Sequence, residues 1–120
     1  MTAVAFASKP LTVSMQTNIA IAALAALAQE SRFPAFRLLV QAGPQGQSAS
    51  NIAAALDMPA SSLSFHLKEL THAGLVSPRQ QGRYVIYAAR LETLQRLMEF
   101  LSTTCGSAGA QSMQDRLASV

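Results

Sequence analysis

The sequence predicts a mainly α-helical fold with one small β-hairpin, and three observations carry that expectation. Ala and Leu dominate the apolar residues of this 120-residue chain, while aromatics reach only 6% and Trp is absent, a balance that favours helices over packed strands. Leu63, Leu67 and Leu70 recur at helical spacing within SSLSFHLKEL, residues 61 to 70,. The period then changes in LVSPRQQGRYVIYAA, where Tyr84-Val85-Ile86-Tyr87 follows a polar Gln-Gln-Gly segment, the mark of a strand behind a turn,. The length suits one compact domain.

Residues 1–15 show no period and are expected to form a flexible N-terminal arm. TNIAIAALAALAQ predicts a first helix over Thr17–Gln29, apolar nearly all round, and such a helix asks for cover on several sides. A second helix is expected over Ser31–Gln41, with Ser31 as N-cap and Pro34 tolerated in the first turn, ending at Gly43-Pro44,. Ser48 or Ser50 caps a short third helix reaching Leu56, and Asp57-Met58-Pro59 turns the chain into a fourth, Ala60–Ala73, stopped by Gly74,. The hairpin follows, with Gln80, Gln81 and Gly82 near its turn. A fifth helix is expected over Leu91–Ser102, with Leu91, Leu94, Met98 and Leu101 on one stripe. Residues 16–102 then form the domain proper, and 103–120, rich in Ser, Ala, Gly and Thr, a mobile C-terminal tail.

Two short helices joined by a tight turn and followed by a hairpin with a basic tip make a winged helix-turn-helix, here about five helices and a two-stranded wing,. At about 100° per residue, Ser61, Phe65, Lys68 and His72 fall opposite the leucine stripe. A solvated helix face ordinarily carries Glu, Lys and Gln rather than Ser and Phe. Small polar residues at a helix start suit base edges in a major groove, so Ser61, Ser62 and Ser64 are candidate DNA contacts, with Phe65 for a thymine methyl and Lys68 for a phosphate. Arg79 and Arg83 flank the wing turn as candidate backbone or minor-groove contacts. The charge distribution agrees. The chain carries +3, and between Ala60 and Arg90 four cations (Lys68, Arg79, Arg83, Arg90) face Glu69 alone, which points to a polyanionic partner.

SSLSFHLKELTHAGLV followed by RQQGRYVIY resembles the recognition helix and wing of the ArsR/SmtB bacterial repressors, and LAALAQESRFPAFRLLVQAGPQG resembles their preceding helices. The resemblance covers about residues 20 to 102. It implies a homodimer joined through its first and last helices, binding an imperfect palindrome in a promoter and released by an effector. The metal sensors of that family carry Cys-x-Cys in the third helix, and SASNIAAAL has neither thiol nor imidazole. Its zinc sensors use Asp and His on the last helix, where RLETLQRLMEFLS offers only Glu92 and Glu99. One branch holds trivalent arsenic or antimony with a cysteine pair just after that helix. TTCGSAG matches it only at Cys105. Two readings of Cys105 stay open: a free surface thiol, or a weak switch answering As(III), Sb(III) or oxidation, As(III) preferring three thiolates where a homodimer has two. No cofactor or metal is otherwise expected. His66, at the edge of the leucine stripe, is expected to be structural, and His72 solvated.

Half the residues are hydrophobic and only 12% are charged, so a second subunit is expected to cover Ile21, Leu24, Leu94, Met98 and Leu101. The longest apolar run, Ile19 to Ala28, is too short to span a bilayer,. MTAVAFASKP puts its Lys after the apolar residues, the wrong order for a secretory signal,, and the single cysteine fits a reducing compartment. A cytoplasmic protein is expected. An enzyme is not: there is no Gly-rich phosphate loop, no cysteine–histidine pair at useful spacing, and the six carboxylates are scattered. The competing reading is a winged-helix module that contacts proteins without sequence-specific DNA binding.

Overall fold

The computed structural model describes residues 15–118; of the arm expected over 1–15, residues 1–14 lie outside the described residues, and Met15 packs against the core. The elements run α1 (Thr17–Leu27), α2 (Arg32–Ala42), β1 (Gln47–Ser48), α3 (Ala49–Leu56), α4 (Ala60–His72), β2 (Val76–Gln81), β3 (Tyr84–Ala89) and α5 (Leu91–Ala118). Leu63, Leu67 and Leu70 of α4 are buried, and they close a core with Phe36 and Leu39 of α2, Ile52 of α3 and Leu97 of α5. Each such side chain stabilises the fold by roughly 1.5–3 kcal/mol through burial alone. From α1 the core receives Ala20, Ala23 and Ala26, small residues that bring the helix close, while Ile19, Ile21 and Leu24 stay exposed.

The sheet departs from expectation by one strand. The wing is antiparallel from Val76↔Ala89 to Gln81↔Tyr84, and Gly82-Arg83 close it. Gly82, at φ +62°, occupies the first central position of the two-residue turn, where hairpin geometry favours glycine. β1 then adds to the far side of β3, pairing Gln47 with Tyr87 and Ser48 with Ile86, so the order is β1-β3-β2. Two residues are too few to reveal a period. Gly46 makes this approach feasible: its φ is +70°, and a Cβ there would overlap the Tyr87 carbonyl.

Helix boundaries follow from individual hydrogen bonds. Ser48 caps α3, its Oγ accepting from the Asn51 N–H at 3.2 Å. Ser31 does not cap α2; the Gln29 side chain accepts from the N–H groups of Ser31 and Arg32 at 2.8 and 2.9 Å instead. Gln29 is thus a loop residue, and α1 ends at Leu27. Asp57, left-handed at φ 51°, makes the turn between α3 and α4, and Gly74, at φ +76°, follows α4. The last helix does not stop at Ser102 but runs to Ala118. Gly106 and Gly109 each cost about 1 kcal/mol in a helix. That is too little to end one already nucleated, and no proline follows. Among the described residues, no helix is long and apolar enough to cross a membrane.

Because Leu67 is 1% exposed at the centre of the core, Leu67→Ala should lower the unfolding free energy by about 2–5 kcal/mol in urea titration. A loss below about 0.5 kcal/mol, the usual size of a surface change, would contradict this packing.

Candidate nucleic-acid interface

Burial of the leucine stripe decides what α4 shows to solvent. Ser61, Ser62, Ser64, Phe65 and Lys68 are all exposed, as is His72 at the helix end. The three serines lie in the first two turns, so the outward surface there is made of hydroxyls and backbone. Lys68 makes no ion pair among the described residues. The hairpin ends in Arg83, which also has no hydrogen bond or ion pair among the described residues.

Arg79 has a different position. Its Nη1 donates to the Pro44 carbonyl at 3.2 Å, and its Nη2 to the Gln45 carbonyl at 2.9 Å and to Gln81 Oε1 at 3.3 Å. This guanidinium ties the wing to the loop between α2 and β1. The two wing arginines therefore differ in kind: Arg79 holds the hairpin in place and Arg83 is presented at its tip.

Phe65 is 55% exposed but not isolated. The His66 ring meets it edge-on at 5.6 Å between centroids, and the guanidinium of Arg32 lies 6.0 Å from its centroid, within range of a cation–π attraction. Arg32 also pairs with Glu69 of α4 at 3.6 Å. His66 is half-buried, and its Nδ1 is buried without a partner. Burial first, and then the positive charge of Arg32, hold the imidazole below the usual histidine pKa, so it is kept neutral. Arg32 is the residue that sequence reasoning missed. One signal was available: it stands in the first turn of α2, where the helix dipole disfavours a cation, so a compensating partner was to be expected.

The expected subunit contacts lie on α1 and α5, two helices that touch each other. Ile21 and Met98 are each 59% exposed, and Leu24 and Leu101 are exposed as well. Leu94 instead packs partly against the core. Ile19 and Leu91 belong to the same exposed set. The backbone of Cys105 falls within α5 rather than after it, and its side chain lies outside the described residues. Among the described residues there is no group of three or more His, Cys, Asp or Glu able to hold a metal ion.

Residues 27–79 match a family model described as a helix-turn-helix domain. Among solved structures, an ArsR-like transcriptional regulator from Rhodococcus sp. RHA1 is 27% identical, with 85% of this chain and 89% of that one covered and a TM-score of 0.66. A structure described as a possible transcriptional regulator for arsenical resistance is 29% identical, over 77% of this chain and 93% of that one, with a TM-score of 0.60. The homodimeric winged helix-turn-helix DNA-binding domain of a possible ArsR-family regulator from Mycobacterium bovis shares the fold at 23% identity, over 72% and 79% of the two chains, with a TM-score of 0.60. No curated protein matches the chain.

The depressed pKa of His66 has a signed consequence. A unit or more above the ordinary histidine pKa neither the folded nor the unfolded imidazole is charged, so His66 contributes nothing to the pH dependence there. As pH falls, the unfolded chain binds the proton first, and stability drops until the folded pKa is reached. Urea titrations from pH 7 to pH 5 (the window below the ordinary histidine value) should show a shallower loss for His66→Gln than for the wild type. Parallel profiles would mean that His66 titrates as a free histidine.

Proposed function

We propose that the chain is a winged helix-turn-helix regulator of the ArsR/SmtB type, a homodimeric repressor of a promoter carrying an imperfect palindrome, with an effector that releases the DNA. The helix-turn-helix match over residues 27–79 and the likeness to ArsR-like regulators support this reading. The observation that carries this reading is the outward face of α4: three hydroxyls, one aromatic and one lysine opposite three buried leucines, beside a wing ending in Arg83. A helix of this shape fits the major groove, with its N-terminal residues nearest the base edges. Ser61, Ser62 and Ser64 then read bases, Phe65 packs on a thymine methyl, and Lys68 and Arg83 neutralise phosphates. Arg79 serves the same interface by holding the wing, since its donors are taken by backbone carbonyls. The site of action is cytoplasmic DNA.

Dimerisation rests on the exposed apolar side chains of α1 and α5. Ile21, Leu24, Met98 and Leu101 are left open in one chain, on two helices that touch each other, and exposed apolar side chains of this kind are what a two-fold partner covers. A symmetric pair sets two copies of α4 on successive major grooves, roughly 34–36 Å apart. The Mycobacterium bovis domain that shares this fold is a homodimer, which agrees with this arrangement. Cys105 enters the proposal only as a weak thiol-responsive element, answering oxidation or As(III) and Sb(III), because one thiol per chain leaves a dimer one thiolate short of the three that As(III) prefers.

Binding to DNA from directly upstream of the gene, measured by gel shift over a range of salt, tests the recognition face. Arg83→Ala should lower the salt slope by about one unit. Ser64→Ala should cost roughly 1–3 kcal/mol on the specific site if its hydroxyl reads a base. Wild-type behaviour from both variants would show that another surface meets the DNA.

Sedimentation tests the pairing. The wild type should be a dimer at micromolar concentration, and Met98→Glu, which places a carboxylate in the apolar surface, should be a monomer with weakened operator affinity. A monomeric wild type would remove the palindromic arrangement.

A further inference from the structure

Between α1 and the C-terminal half of α4 lies a cleft of about 390 Å³, within the size range of small-molecule sites, roughly 300–1,000 Å³. Ala22, Ala25 and Ala26 of α1 form its apolar wall, and Arg32, Glu69 and His72 its polar side. Arg32 is poorly satisfied for a group so enclosed. Its side chain is only 15% exposed, its one ionic partner is Glu69 at 3.6 Å, and its Nε is buried with no partner. The guanidinium donates no hydrogen bond among the described residues. An enclosed guanidinium without acceptors is destabilising, and its place in the first turn of α2 sets it against the helix dipole,. An acceptor anion on the Nη atoms supplies the guanidinium with hydrogen bonds that Glu69, at 3.6 Å, does not, and offsets its charge against the dipole.

We propose that this cleft binds a small organic monocarboxylate, its oxygens on the Nη atoms of Arg32 and its compact apolar body against the α1 alanines. The planar guanidinium fork matches a carboxylate, and the alanines leave room for a ring or a short branched alkyl group that an inorganic anion would not fill. Glu69 is the internal competitor. Its side chain is 39% exposed, so it turns to water when the ligand takes its place. Arg32 also lies against Phe65 on the outward side of α4. Ligand capture therefore unties the ion pair that joins α2 to α4 and shifts the seat of the recognition helix. This coupling rests on the DNA-binding reading above; the binding site does not.

The test is a titration of the full chain with benzoate, and with benzamide as the neutral isostere, followed by amide NMR shifts and calorimetry. Wild type should bind benzoate about tenfold or more tightly than benzamide, the usual value of one charge-assisted contact. Arg32→Gln should lose benzoate, and Glu69→Gln should bind it several-fold more tightly. These opposite signs from the two halves of one ion pair are not what a purely structural pair would give. Ala22→Leu, which narrows the cleft and leaves the ion pair in place, should abolish binding even if Arg32→Gln fails to fold. No benzoate binding at millimolar concentration, equal binding of benzamide, or weaker binding by Glu69→Gln would overturn the site. In the operator arm, benzoate should weaken DNA binding by the wild type and not by Ala22→Leu. Unchanged DNA binding with benzoate bound would overturn the coupling. A wild type that binds no upstream DNA would remove the coupling together with the DNA-binding reading, and the benzoate titration alone would then decide the site.

Discussion

A recognition helix is useful only if its rotation about its own axis is set, and in this protein three leucines set it. Leu63, Leu67 and Leu70 are each at most 1% exposed and span two turns of α4, so rotating the helix by one residue position would drive a leucine into water and a serine or lysine into the core. The loss would be several kcal/mol in apolar burial alone, before the cost of burying a charge. Every functional statement about Ser61, Ser64, Phe65 and Lys68 depends on that constraint, because the same residues on a freely turning helix would present no defined surface.

Two arginines extend this seating to the neighbouring elements. Arg79 joins the hairpin to the loop after α2 through two backbone carbonyls, which makes the wing a defined distance from α4 instead of a loose ribbon. Arg32 joins the start of α2 to α4 through Glu69 and Phe65. The positive charge of the central region is thus divided between cations that organise the surface and cations, Lys68 and Arg83, that are offered to a partner. Net charge alone does not make that division.

Local pattern carried most of the fold. The leucine spacing of α4, the glycine after it, the Ser48 cap and the strand-like run Tyr84 to Tyr87 each report on neighbours a few residues away, and the structure places them as that spacing implies. What the sequence concealed depends on partners far along the chain. Arg79 reaches carbonyls 34 and 35 residues away, so its sequence neighbourhood reads as one more wing cation. Strand β1 is two residues long and exists because β3 lies beside it. Ser31 was displaced as a cap by Gln29, a competition between two nearby acceptors that composition does not rank. The extension of α5 past Ser102 is the opposite case, in which a composition rich in Ser, Ala, Gly and Thr suggests a tail although the helix continues through it.

The central claim is that one face of α4 and the tip of the wing, held as described, meet double-stranded DNA. Amide NMR shifts of the full chain titrated with its upstream DNA map that surface residue by residue. The account predicts the largest changes at Ser61, Ser62, Ser64, Phe65 and Lys68 and at Gly82 and Arg83, with small changes at Arg79 and along the buried stripe. Changes centred instead on Ile21, Met98 and Leu101, or spread evenly along the chain, would contradict it.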